Sequence, residues 1–111
     1  FMKPAVETLR NYSHTIEIND PTVKLWSNNG GRQITSGSEF VELLVNQVSS
    51  PVRWDLCMAA MVEDGVTALI ELAPAGTLVG LAKRAMPGIE TLAVKTPENL
   101  EAALSLINNH R

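Results

Sequence analysis

Apolar positions recur along the chain with two alternating periods. Met2, Val6, Leu9 and Ile16 share one stripe of a helix over residues 2–18, with Pro4 admissible in its first turn. Asn19-Asp20-Pro21 should stop that helix. Thr22-Val23-Lys24-Leu25-Trp26 then alternates and is rich in β-branched and aromatic residues, as a strand requires. Asn28-Asn29-Gly30-Gly31 predicts a tight turn, because Asn and Gly tolerate positive φ, and a short return strand is expected over residues 33–35. Ser38 is the expected cap of a helix over residues 39–48, with glutamates in its early turns where the dipole favours them.

Ser49-Ser50-Pro51 breaks that helix. Pro51 is expected in the first turn of another, reaching residue 63, with Trp54, Met58, Met61 and Val62 on its buried face and Gly65 as its stop. Residues 66–72 are almost continuously apolar, as in a strand covered on both faces. After the turn Ala73-Pro74-Ala75-Gly76, Thr77 opens a helix to residue 86, and residues 91–95 form another strand. Thr96-Pro97-Glu98 starts the last helix, whose expected inner face is Leu100, Ala103, Leu104 and Ile107. Strand and helix in alternation predict an α/β fold with a parallel sheet. Residues 1–111 show no repeat, low-complexity tract or linker, so they read as one segment of a single domain.

Composition narrows the function classes. With 45% hydrophobic residues the chain is no disordered tail, and its net charge of −3 argues against a nucleic-acid binder. The single Cys57 cannot form an internal disulfide, which makes the reducing cytoplasm the expected compartment. No apolar run approaches the ~18 residues of a membrane span. Phe1 stands where a Met would open a complete chain, within a predicted helix, so a piece of a longer polypeptide is expected.

Self-sufficient catalytic apparatus is missing. There is no HExxH, CxxC, G-x-S-x-G or Walker loop, and no metal site is expected. His14 and His110 read as a solvent-facing and a fraying residue, and Cys57 beside Met58 as a small packing residue without a basic partner. Asn28-Asn29-Gly30-Gly31 is explained by a hairpin. Ala73-Pro74-Ala75-Gly76-Thr77 joins a buried strand to a helix N-terminus, either as a plain connection or as a place where ligands of α/β proteins collect. Lys83-Arg84 is a basic pair on an acidic chain, a solvated face or a docking point. Gln47 is a polar amide in the apolar run Leu43-Leu44-Val45-Asn46-Gln47-Val48. It is either a structural hydrogen-bonder or a group that orients another.

Several blocks, in order, resemble the malonyl-CoA:acyl carrier protein transacylases of bacterial fatty-acid synthesis. Asn46-Gln47-Val48-Ser49-Ser50-Pro51-Val52-Arg53-Trp54 is similar to their R-Q-x-x-x-P-V-x-W, with Asn46 in place of Arg. Glu71 through Arg84 resembles their E-x-x-P-x-x-x-L-x-G-L-x-K-R, with Ala73 and Ala75 where others have Gly-Pro-Gly. Leu92-Ala93-Val94-Lys95-Thr96-Pro97 resembles the tail of actinobacterial-type members, and Phe1-Met2-Lys3-Pro4-Ala5 the segment that follows the active-site histidine. The family's G-H-S-x-G and A-F-H motifs do not occur, and the histidine would fall just upstream of Phe1.

The resemblance implies the C-terminal part of the α/β-hydrolase-like large subdomain of an acyltransferase, without the nucleophile-bearing part or the ferredoxin-like subdomain. It implies transfer of a malonyl group from malonyl-CoA to acyl carrier protein through a serine acyl-enzyme. It makes Gln47 the third member of the triad, orienting the histidine, and Lys83 and Arg84 a docking pair for the acidic carrier protein. No cofactor is implied beyond the carrier's own phosphopantetheine. Nucleic acid and membrane are not expected as partners, the parent is expected to be a monomer, and this chain alone is expected to be inactive. Two alternatives stand beside this reading: a piece of a polyketide synthase acyltransferase domain, and a non-catalytic α/β interaction module.

Overall fold

The strong local signals each form an element, but several begin or end where longer-range bonds dictate. A computed structural model describes all residues, Phe1–Arg111, and the chain divides into two compact units, Phe1–Ala60 and Met61–Arg111.

The first unit holds α1 (Lys3–Ser13), β1 (Leu25–Trp26), β2 (Gln33–Ile34), α2 (Gly37–Gln47) and the start of α3 (Trp54–Glu63). Helix α1 stops at Ser13 rather than at residue 18 because hydroxyls take over its last carbonyls: Ser13 Oγ donates to the Arg10 carbonyl and Thr15 Oγ1 to that of Tyr12, both at 2.7 Å. The two strands pair antiparallel around Asn28-Asn29-Gly30-Gly31, closed by the Ser27 amide donating to the Arg32 carbonyl and the Gly31 amide to that of Ser27, each at 3.0 Å. The hairpin reading therefore holds, with shorter strands than expected.

Ser36, not Ser38, caps α2: its extended backbone lets Oγ accept from the Glu39 amide at 3.3 Å. A second bond fixes that start, from the Gly37 amide to Asp20 Oδ1 at 2.9 Å. Helix α3 opens at Trp54 rather than Pro51. The Arg53 amide donates to the Asn28 carbonyl at 3.2 Å, and the Pro51 carbonyl accepts from the Gln47 side chain, so the backbone before Trp54 is held out of the helix. Cys57 and Met58 are its buried residues, whereas Val62 is exposed. Gly65, with φ +81°, ends it as expected.

In the second unit β3 (Ala68–Leu72) runs parallel to β4 (Glu90–Val94), with Ala68 opposite Glu90 and Leu72 opposite Val94. Helix α4 (Thr77–Ala85) is the crossover between them and packs on both strands through Val79 and Ala82. After a 3-10 turn over Pro97–Asn99, α5 (Leu100–Asn109) also packs on both. Strands alternating with helices around a parallel pair are the predicted α/β class.

The inner face of α5 differs from the prediction. Ala103 and Leu106 are buried, whereas Leu100, Leu104 and Ile107 stand 44–63% exposed. The helix is apolar on more than one side, so periodicity alone does not choose the stripe that meets the sheet. Each strand of the pair has one neighbour only and keeps an open edge, an arrangement parallel sheets rarely leave uncovered. Nor does His110 fray: its Nδ1 lies 2.9 Å from Thr67 Oγ1 and its Nε2 2.8 Å from Glu90 Oε2, tying the end of α5 to the entry of the sheet.

Candidate functional site

Gln47 is the last residue of α2, at the C-terminal end where helix carbonyls lack intrahelical partners. The turn that follows satisfies them. The Ser50 amide donates to the Gln47 carbonyl at 3.1 Å, and Ser50 Oγ to the Asn46 carbonyl at 2.8 Å. The Gln47 side chain then reaches over the break, and its Nε2 donates to the carbonyls of Ser50 at 3.1 Å and Pro51 at 3.0 Å. Two carbonyl acceptors on one side fix which end of the amide is nitrogen.

The other end, Oε1, is buried and accepts no hydrogen bond. A buried acceptor left without a donor costs about 1–3 kcal/mol, so this oxygen is a strong candidate to receive an N–H or O–H. Gln47 also lines a cleft of about 270 Å³ with Trp26, Ser27, Asn28, Phe40 and Leu43. The buried indole nitrogen of Trp54, in the same Gln47-to-Trp54 block, is likewise without an acceptor.

Lys83 and Arg84 lie exposed in the last turn of α4 in the second unit, where cations complement the helix dipole, and Arg84 Nε returns to the Gly80 carbonyl at 3.3 Å. The Cys57 thiol is buried, donates to the Ser27 carbonyl at 3.3 Å, and is pushed up in pKa by burial and then by the charge of Asp55. It stays a protonated packing residue, as expected. His14 is exposed. No group of three or more His, Cys, Asp or Glu is placed to hold a metal ion, and no helix is long and apolar enough to cross a membrane.

The turn into α4 is already occupied. The Glu71 carboxylate, at the buried side of β3, accepts from the amides of Gly76 at 2.8 Å, Val79 at 2.9 Å and Leu78 at 3.1 Å. The helix N-terminus that could have gathered a ligand's anion is thus filled by the protein's own. The Val79 amide foremost, then those of Gly76 and Leu78 and the charge of Lys95, hold the Glu71 carboxyl below its usual range against the opposing effect of burial. Sequence reading passed over this role. The available signal was a carboxylate within an apolar strand, five residues before the first amide it binds.

Comparison with known proteins gives this geometry a context. No protein-family model matches the chain. It is 43% identical over 106 residues to the malonyl CoA-acyl carrier protein transacylase of Mycobacterium tuberculosis, covering 96% of this chain and 35% of that protein. The Bacillus subtilis protein of the same name is 34% identical, over 96% of this chain and 33% of its own length. Among solved structures, the MCAT of Mycobacterium tuberculosis superposes with a TM-score of 0.86 at 44% identity, over 91% of this chain and 33% of that one. A type II PKS acyl-carrier protein in complex with its malonyl-transacylase matches at 0.82 and 31% identity, over 95% of this chain and 34% of that one. The chain therefore spans about a third of the length of the relatives it matches.

Proposed function

We infer that the chain is part of a malonyl CoA-acyl carrier protein transacylase, spanning about a third of its relatives' length, and from this we propose the activity of the polypeptide that carries it. That polypeptide moves a malonyl group from coenzyme A to the phosphopantetheine thiol of acyl carrier protein. A serine, deprotonated by a histidine, attacks the malonyl thioester; the C–S bond breaks, and the imidazolium returns its proton to the departing thiolate. In the second half the carrier's thiol attacks the serine ester, and the histidine again takes and returns the proton. The serine and histidine lie outside these residues, and this chain alone is inactive. On this reading its two units are pieces of one acyltransferase domain, working in the cytoplasm.

The observation that supports this best is the buried, unpartnered Oε1 of Gln47. An imidazole N–H is a donor of the right kind. A neutral carbonyl receiving it selects the tautomer whose other nitrogen can deprotonate serine, without burying a second charge. Gln47 is thus a positioning residue. Lys83 and Arg84 offer an exposed basic pair to an acidic carrier protein, and the relative solved with a polyketide carrier extends the class of carriers beyond fatty-acid synthesis. A non-catalytic module would leave the orphan oxygen without a purpose.

The test incubates the complete polypeptide with malonyl-CoA, first alone and then with carrier protein. A malonyl-serine adduct by mass spectrometry, discharged to the carrier thiol, is the expected result. No adduct, with the polypeptide folded, overturns the proposal.

A further inference from the structure

We propose that Arg10 is a positioning residue for this reaction, fixing α1, the helix that on the family resemblance follows the histidine, against the Gln47-bearing end of α2; this rests on the reading of Gln47 above. Helix α1 has little apolar grip of its own. Ser13 is its one buried residue, and Val6 and Arg10 are half-buried. Two helices held by so few apolar side chains can slide or rotate unless a directional contact fixes them.

Arg10 supplies that contact. Its Nη1 donates to Glu42 Oε2 at 2.8 Å and its Nη2 to Asn46 Oδ1 at 2.9 Å. Glu42 and Asn46 are one turn apart on α2, so the rigid fork of one guanidinium grips two successive rungs and sets both height and rotation. A single ammonium cannot do both. The ion pair is exposed and contributes little to stability on its own; its value is geometric.

The grip continues to the site. The Asn46 carbonyl accepts from Ser49 at 3.2 Å and from Ser50 Oγ at 2.8 Å, and the Ser50 carbonyl accepts from Gln47 Nε2 at 3.1 Å. A polar path therefore runs from Arg10 through Asn46 and Ser50 to the amide whose Oε1 faces no donor. On the proposed function the histidine precedes Phe1, so loosening this fork frees α1 and misplaces the imidazole against its acceptor.

The experiment uses the complete polypeptide with Arg10→Met, Arg10→Lys, Asn46→Ala and Gln47→Leu, following acyl-enzyme formation from malonyl-CoA across pH. An acceptor on the imidazole N–H favours the charged ring, so losing it moves the acid limb of the profile to lower pH. Arg10→Met should slow acylation by about tenfold, with KM for malonyl-CoA within about twofold, and shift that limb the same way as Gln47→Leu. Arg10→Lys should recover part of the rate. Asn46→Ala, which keeps the Glu42 pair, should reproduce the shift in a folded protein even if Arg10→Met fails to fold. The inference is overturned if Gln47→Leu moves the limb while Asn46→Ala and every folded Arg10 variant leave it in place. If Gln47→Leu itself leaves it in place, the reading of Gln47 fails and this inference with it.

Discussion

Gly31 offers a graded test of the hairpin that borders the cleft, because its neighbour Gly30 is a built-in control. Both adopt positive φ, +83° at Gly30 and +65° at Gly31, but only Gly31 is crowded. A Cβ at Gly31 would stand 2.5 Å from the Cβ of Leu56 and 2.6 Å from its carbonyl oxygen, whereas one at Gly30 would meet nothing within 4 Å. The left-handed backbone costs a residue with a Cβ about 1–2 kcal/mol at either site. At Gly31 the clash with helix backbone, which cannot swing away, adds about 1–3 kcal/mol. Alanine also stiffens the unfolded chain, returning about 0.5 kcal/mol to both variants alike. Gly30→Ala should therefore destabilise by about 1 kcal/mol and Gly31→Ala by about 3 kcal/mol. In urea denaturation of the polypeptide carrying the chain, a slope of about 2 kcal/mol per M turns these into midpoint losses of about 0.5 M and 1.5 M. Equal losses at the two glycines would refute the close approach of the turn to Leu56.

Glu71 should make stability depend on acid. Its folded carboxyl titrates below the usual glutamate value, so the stability it adds is fully present above that value and is lost as pH falls through the folded one. Glu71→Gln should lower the melting temperature at neutral pH and flatten its decline toward acid. An unchanged acid slope in thermal melts would contradict the three-amide cradle. Lys83→Glu with Arg84→Glu should raise the KM for carrier protein by about tenfold at low salt, the difference shrinking as salt is added, while acylation by malonyl-CoA is spared. Equal loss in both half-reactions would make the pair a structural feature of α4.

What the sequence disclosed were the features decided within a few residues. Asn28-Asn29-Gly30-Gly31 makes its turn, Gly65 ends α3 and Thr77 opens α4, because positive φ and helix starts are local matters. The choice between Ser36 and Ser38 as cap was not local: Asp20 bonds the Gly37 amide from seventeen positions away and selects the earlier serine. The face of α5 was hidden for a related reason, since which of its apolar stripes is buried depends on where the β3–β4 pair lies. At the site, Gln47 stood out as a polar residue in an apolar run, and its resemblance named a role. Arg10 gave no such sign, because its partners are 32 and 36 residues distant. Glu71 was legible in principle, but its carboxylate was absorbed into an almost continuous apolar strand.

The account turns on whether the Gln47 side-chain oxygen receives the imidazole N–H. Nitrogen-15 NMR of the complete polypeptide, labelled at histidine, reads this directly through the tautomer of the neutral ring. With Gln47 in place, one ring nitrogen should hold the proton almost exclusively, and Gln47→Leu should release a mixture of tautomers in a protein that still folds. The same single tautomer in both proteins would mean that another group holds the ring and that the orphan oxygen of Gln47 serves something else.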